Sequence, residues 1–498
     1  MPRDCLVRTR HGTVRGSTSA GVHRFLGVSY AMPPFGSRRF QPPRRPEPWS
    51  GVRDALAFGP TPPQIPMSPP FDAFSPLVDG EDCLNLNIWS RDLGSSARQP
   101  VMVWIPGGGW DNGGNIIYDG SRFARDGVVC VAINYRLGAD GFLYLDDGLA
   151  NLGLLDQVAA LEWVRDNIAA FGGDPDNVTV AGESSGAMSV GALLSLRRAR
   201  GLFHRAVLES GAGNQSFPPE TGRRISHDLA FRLGVAPTRE AIASVPVPRL
   251  LSAQAEVAKD YAARPDARLW GGEPAARVTL WQPVRDGDVL PSRPIDQFLS
   301  GAGADIPVLI GQNTEEGRLS LVPFGLLDRI TEVDLATAMT QYGLPAPQAL
   351  AVYRETYPGA GPGDLLALLQ GDWYYRAPAI RLAEARAAHA GSTHMYEFAW
   401  RSPAFDGLLG ACHFLEVPFV FDLVDTPTMR ALTGPNPPRQ LATTVHNAWV
   451  AFMTSGDPGW PCYDPRRRAT MRFDIASRVV NDPWPAVREL WAEAGHPR

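Results

Sequence analysis

Gly182-Glu183-Ser184-Ser185-Gly186 places a hydroxyl two residues from a glycine on either side. Residues 177–181 before it read as a buried strand and the residues after it as a helix, so Ser184 is predicted on a strained strand-to-helix turn, a nucleophile elbow. The flanking glycines remove the side chains that would collide where the chain reverses. An activated serine needs a base to take its proton, an acid to orient that base, and donors for the negative oxygen that forms on a carbonyl substrate. Donors are expected from Gly107-Gly108-Gly109-Trp110, a glycine run directly after the apolar segment 101–105, together with the helix-start amide of Ser185. For the acid, Glu315 and Glu316 follow the apolar segment 306–310, and either could serve. For the base, His413 falls after them, in the chain order serine, acid, histidine that this architecture uses. His394, at the start of a strand, and His446, on an amphipathic helix with Trp449 and Phe452, compete for that role and fit structural positions better.

The elements that must hold these groups are legible as an alternation. Residues 6–16 read as a hairpin around His11-Gly12, and 25–30 continue the strand character. Residues 33–76 form a proline-rich surface loop with Trp49, Phe58 and Phe71 as apolar anchors. Strands are expected at 84–89, 101–105, 128–133, 205–209, 306–310 and 393–398, and the nearly continuous apolar runs among them suit strands buried on both faces. Apolar residues at helical spacing mark a helix over 154–171, ended by Gly172-Gly173, with Asp174-Pro175 opening a turn. Strands alternating with helices imply an α/β fold: a central, mostly parallel sheet with helices on both faces and long insertions, here read as one domain over 1–498.

Composition narrows the partners. The chain has 498 residues, 44% hydrophobic and 20% charged, with a net charge of -5, which provides no field for nucleic acid or an anionic membrane surface. The amino terminus lacks a secretory apolar stretch and no run is long enough to cross a bilayer, so a cytoplasmic protein is expected. Five scattered cysteines, with no Cys-x-x-Cys and no Cys/His cluster, are expected as reduced thiols, and neither metal nor organic cofactor is expected. For oligomeric state, a monomer or weak dimer is the expectation.

Many short stretches together resemble the type-B carboxylesterases and cholinesterases of the α/β-hydrolase superfamily, bacterial carboxylesterases included. They include 27–31, Arg39-Phe40, 81–87, 107–109, Asn134-Tyr135-Arg136, 151–157 and 171–175, and the likeness runs to about Pro461. The resemblance implies Ser184 as nucleophile, Glu316 rather than Glu315 as the acid because it directly precedes the motif glycine, and His413 as base. It further implies oxyanion donors at Gly108, Gly109 and Ser185, and ion pairs of Arg39 with Glu81 and of Arg136 with Asp174. Three departures stand out. Ser185 replaces the usual alanine, and its hydroxyl is expected to bond Glu183 or face the pocket. Cys83 lacks its usual disulfide mate, whose place is taken by Pro62. The loop 66–80 offers Phe71 and Phe74 but no tryptophan to hold a quaternary ammonium, which argues against choline esters.

The expected activity is hydrolysis of small-molecule carboxylic esters through an acyl-serine intermediate, with an acid limb near pH 6 to 7 if His413 keeps an ordinary pKa of about 6.5. Glu183 and Ser210 are expected to support the site as partners. Trp110, Phe217, Leu319, Phe324 and Phe414 are expected to line an apolar pocket. Amide or carbamate hydrolysis on the same machinery, and a non-catalytic cholinesterase-like binding protein, are the alternatives.

Overall fold

In the computed structural model, which describes residues 3–263 and 279–494, the alternation closes into one sheet. Its strands are β1 (Arg3–Arg8), β2 (Thr13–Ser19), β3 (Val22–Ser29), β4 (Val52–Asp54), β5 (Asn85–Ser90), β6 (Gln99–Ile105) and β7 (Val129–Ile133). They continue with β8 (Gly173–Glu183), β9 (Arg205–Glu209), β10 (Val308–Asn313), β11 (Thr393–Phe398), β12 (Ala469–Phe473) and β13 (Arg478–Asn481). The order across the sheet is 1-2-3-5-7-6-8-9-10-11-12-13, with β4 beside β2. Every neighbour pair from β7 to β12 is parallel, and the two flanks are antiparallel apart from the short β4, which pairs parallel with β2.

The sheet separates two apolar cores, and single strands supply both. Val101, Val103 and Ile105 of β6 pack into one core and Met102 and Trp104 into the other; Val129, Val131 and Ile133 of β7 likewise oppose Cys130 and Ala132. This is the period-two reason that these strands carry apolar side chains at successive positions. Helix α1 (Leu152–Asn167) covers one face and α2 (Ser185–Ser195) springs from the end of β8. Farther on lie α3 (Pro362–Gly371), α4 (Ala377–Ala387), α5 (Arg439–Ser455) and α6 (Pro485–Ala494). No helix among the described residues is long and apolar enough to cross a membrane.

Several local expectations change. Asp174-Pro175 does not open a turn but lies within β8, whose pairing with β6 shifts register between Gln99 and Val101, the irregularity that accommodates the proline. The sequence reading also passed over the short β4 and the edge strands β12 and β13. Arg39 pairs with Asp140 at 3.0 Å, not with Glu81, which is exposed. Arg136 grips Asp156 of α1 through two bonds of 2.8 and 2.7 Å, whereas Asp174 meets Arg98. In both cases the partner is the carboxylate that folding brings directly against the buried guanidinium, because a buried cation requires compensation within reach. All five cysteines are free thiols.

Candidate active site

Strands β6, β8, β9 and β10 are sheet neighbours, and the segment after each one's carboxyl end contributes to a single site, where open α/β sheets bind ligands. After β8, Ser184 has φ 56° and ψ -125°, a conformation costly for a residue with a Cβ, by about 1–3 kcal/mol. Its amide donates to the Glu209 carbonyl at 2.9 Å, which ties the turn to β9. Gly186 is sterically required: a Cβ there would lie 2.1 Å from the Ile105 carbonyl oxygen.

The glycine loop after β6 lies against the serine, since a Cβ on Gly107 would be 3.1 Å from the Ser184 Cβ. Gly108 has φ 113°, and a side chain there would strike the Asn112 carbonyl oxygen at 2.2 Å. Tyr135 braces the loop by donating to the Pro106 carbonyl at 2.9 Å. The Ser185 hydroxyl neither bonds Glu183 nor faces the cavity; it accepts the Trp110 amide at 3.2 Å, so the first residue of α2 holds the glycine loop in place.

Glu316 and His413 meet across the loops after β10 and β11. His413 Nδ1 lies 2.6 Å from Glu316 Oε2, and the His413 amide donates to the Glu316 carbonyl at 3.1 Å. Glu316 Oε1 also accepts from Ser210 Oγ at 2.6 Å and from the Asn313 amide at 2.7 Å. Glu315 instead accepts from Arg318, Arg401 and the Ala411 amide, and so anchors the histidine loop without touching the imidazole. His394 bonds the Trp460 carbonyl, and His446 bridges the Val420 carbonyl and Asp126, both away from Ser184.

Ser210 is not the partner of Glu183. Its Oγ lies between Glu316 (2.6 Å) and Glu416 (2.9 Å), and Asn313 donates from its side chain to the far oxygen of Glu416. One hydroxyl proton cannot serve two ionised carboxylates. Burial, then the neighbouring Glu316 charge, pushes Glu416 up to about 7, so below that pH Glu416 holds a proton that it can give Ser210 while Ser210 gives its own to Glu316. Glu183 Oε1 stands 3.1 Å from His413 Nε2 but off the N–H direction, leaving that oxygen without a hydrogen bond. Burial alone would push His413 down; the Glu183 and then the Glu316 carboxylates outweigh it and raise the imidazole to about 9. That is above the ordinary value used for the expected acid limb. Burial likewise drives Glu183 well above the carboxylate range.

A cavity of about 230 Å³ opens onto Ser184, His413, Glu183 and the glycine loop. Its apolar wall is Met67, Phe71, Phe74, Ile117, Tyr118, Leu319, Phe414 and Leu432, with Asn112 as a further polar group. Of the expected lining residues, Leu319 and Phe414 are present. Trp110 is not, because its φ of 61° sends the ring into the core, where Nε1 donates to Ser189 at 3.0 Å. Phe217 is core, bridged to Val284, and Phe324 is 55% exposed. The sequence reading did not single out Asn313, Glu416 or Tyr375, whose ring stacks on His413; a lone carboxylate inside the apolar run 414–420 was the one available signal, for Glu416. No group of three or more His, Cys, Asp or Glu suited to a metal ion occurs among the described residues.

Comparison with known proteins gives the family. The carboxylesterase family model matches residues 3–488. The chain is 37% identical to the para-nitrobenzyl esterase of Bacillus subtilis, over 96% of each chain, and 35% identical to the phenmedipham hydrolase of Pseudarthrobacter oxydans, over 99% of this chain and 98% of that one. A crystal structure of a Geobacillus stearothermophilus carboxylesterase superposes with a TM-score of 0.84 at 37% identity, covering 98% of this chain and 99% of the other. The chain belongs to the carboxylesterase family, has the α/β-hydrolase fold, and is a carboxylic ester hydrolase.

Proposed function

We propose that Ser184 is the nucleophile, His413 the general base and Glu316 the acid that orients it, with the amides of Gly108, Gly109 and Ser185 as the oxyanion hole. The observation that carries this reading is the 2.6 Å bond between His413 Nδ1 and Glu316, which fixes the imidazole over the same cavity onto which the strained Ser184 opens. In the reaction, neutral His413 takes the Ser184 proton through Nε2 as the oxygen attacks the ester carbonyl. The carbonyl oxygen gains the charge that the three amides receive. The proton then passes from His413 to the departing alcohol, leaving acyl-Ser184. Water repeats the sequence: His413 removes its proton, the acyl group leaves as the carboxylic acid, and Ser184 recovers its hydrogen. Glu316, accepting from His413, Ser210 and Asn313, holds the imidazole in one tautomer and balances its charge.

The substrate fitting this cavity is a small ester with an apolar acyl or alcohol group, since aliphatic and aromatic side chains make up most of the wall and none of the lining is tryptophan. Para-nitrobenzyl esters and phenmedipham, the compounds that name two relatives, are the first candidates to assay. The single sheet and the family match over 3–488 support one domain, and five free thiols support a reducing, cytoplasmic setting. The test is Ser184→Ala assayed with p-nitrophenyl acetate: a loss of a thousandfold or more in kcat is expected, and a variant retaining most of its activity overturns the assignment.

A further inference from the structure

One aromatic residue touches the proposed catalytic pair from outside the substrate cavity. Tyr375 stacks on the His413 imidazole with ring centroids 4.8 Å apart and planes 19° from parallel, and its hydroxyl is close enough to feel Ser184, although no hydrogen bond joins the two in the resting structure. It is not among the residues lining the cavity and packs, partly buried, against both apolar cores.

The backbone that carries it is irregular. Between α3 and α4, residues Asp372–Arg376 form a π-helical turn, which adds a residue to the helical circuit and rotates the downstream residues relative to an unbroken α-helix. The turn is clamped. Buried Asp372 accepts from Tyr353 and Arg376, and Trp491 of α6 donates to the Tyr353 hydroxyl at 3.0 Å. Arg376 reaches the Thr314 carbonyl at 3.4 Å, and Gly371 sits so near Glu316 that a Cβ there would be 3.2 Å from the Glu316 Cβ. The segment is thus tied to the same loop that carries the acid.

Resting on the reading of Ser184 and His413 given above, we propose that Tyr375 is a positioning residue for ester hydrolysis: its ring restrains the rotation of the His413 imidazole, and its hydroxyl donates to Ser184 Oγ whenever that oxygen carries charge. Such charge develops twice per turnover, as Oγ attacks the ester and as it leaves the acyl group. A donor that is already in place stabilises both moments without reorganisation. Burial, followed by the Glu316 and Glu183 charges, pushes the phenol well above its ordinary value, so it remains a donor across the working pH range and does not compete with His413 as a base. The stacked face also favours the imidazolium that forms in each transition state.

The test is steady-state kinetics with p-nitrophenyl acetate across pH for the wild-type enzyme, Tyr375→Phe, Tyr375→Leu and Ser184→Ala, with thermal melting as the check of fold. Tyr375→Phe keeps the ring, so kcat is expected to fall at least tenfold with KM within twofold and the acid limb unmoved. Tyr375→Leu, which also loses the stack, is expected to lose at least a further fivefold and to shift the acid limb downwards. A Tyr375→Phe enzyme with kcat within twofold of wild type, or one whose KM rises at unchanged kcat, overturns the proposal. If that variant does not melt as the wild type does, 3,5-difluorotyrosine at position 375 retains shape and hydroxyl while making the phenol a stronger acid. A change in kcat of threefold or more then supports the proposal, and an unchanged kcat overturns it. An active Ser184→Ala enzyme would instead reject the underlying site, whereas an inactive one beside a fully active Tyr375→Phe rejects Tyr375 alone.

Discussion

Glu183→Gln removes a carboxylate 3.1 Å from His413 Nε2 while keeping the size of the side chain. Two full charges at that separation interact by about 5 kcal/mol at an effective dielectric of about 20. At about 1.36 kcal/mol per pH unit, that sets a ceiling of roughly four units on what Glu183 can do to the imidazole. The actual effect is smaller, because burial pushes Glu183 itself well up, so it carries its full charge for only part of the pH range. Glu183 and Glu316 together, working against burial, bring His413 to about 9. Removing the first of those two charges should therefore lower the imidazole by about one to two units, leaving Glu316 to supply the rest. The sign follows from the roles proposed above: with His413 as base, only its neutral form accepts the Ser184 proton, so activity rises as pH passes through its pKa. In a pH profile of kcat/KM with p-nitrophenyl acetate, the wild-type acid limb should lie above 6.5, and that of Glu183→Gln should move down from it. Stability moves consistently. A His413 raised in the folded state adds stability that is fully present below about 6.5 and is lost as pH rises through about 9, so Tm should fall over that window less in the variant. A limb that stays in place or moves up on removal of Glu183 would refute the electrostatic reasoning.

Other consequences are open to the same kind of assay. Glu416→Gln should stay within about threefold of wild-type kcat near pH 6, because an amide can give Ser210 the hydrogen bond of the protonated acid and still accept from Asn313; Glu416→Ala should cost about 1–3 kcal/mol by stranding those buried partners, read as lost stability in urea. If Gln is as damaging as Ala, Glu416 works ionised. Arg136→Met leaves Asp156 buried and unpaired and should destabilise by about 3–5 kcal/mol in urea unfolding, with much of the loss recovered in Arg136→Met/Asp156→Leu; a loss below about 1 kcal/mol contradicts the pairing. Leu319→Ala enlarges the cavity wall and should move the preferred p-nitrophenyl ester to a longer chain, with about 0.8 kcal/mol, roughly fourfold in kcat/KM, for each methylene newly housed. An unchanged chain-length profile places Leu319 outside the substrate's reach.

Sequence patterns conveyed most where a residue's backbone decides its role. Gly186 and Gly108 occupy positions that a side chain would fill with clashes, so the elbow and the glycine loop were readable directly from residue type, as were the buried strands that end beneath them. Adjacent acids were harder. Glu315 and Glu316 share the same local spacing, and what separates them is the position of Arg318, Arg401 and His413 after folding. Ion-pair partners depended on what folding brings alongside: Arg136 and Arg39 go to Asp156 and Asp140, which lie directly against them, and motif likeness pointed elsewhere. Proximity in the chain misjudged the pocket, because the positive φ at Trp110 turns a side chain next to the glycine loop away from the cavity. Met67, Ile117, Tyr118 and Leu432 come to the cavity from loops and single helical turns too short to carry a periodic signal. Tyr375 was out of reach for a related reason: its orientation stems from a π-helical turn, and nothing in Asp372-Trp373-Tyr374-Tyr375-Arg376 announces one.

Ester hydrolysis by this route requires Ser184 to be the one serine made nucleophilic by the fold. Treating the active enzyme with a fluorescent organophosphonate and mapping the adduct by mass spectrometry examines that without reference to any natural substrate. The adduct should lie on Ser184, should form in step with loss of esterase activity, and should be absent from Ser184→Ala. An active enzyme that takes up no label, or one whose inactivating adduct lies on Ser185 or another residue, would contradict it.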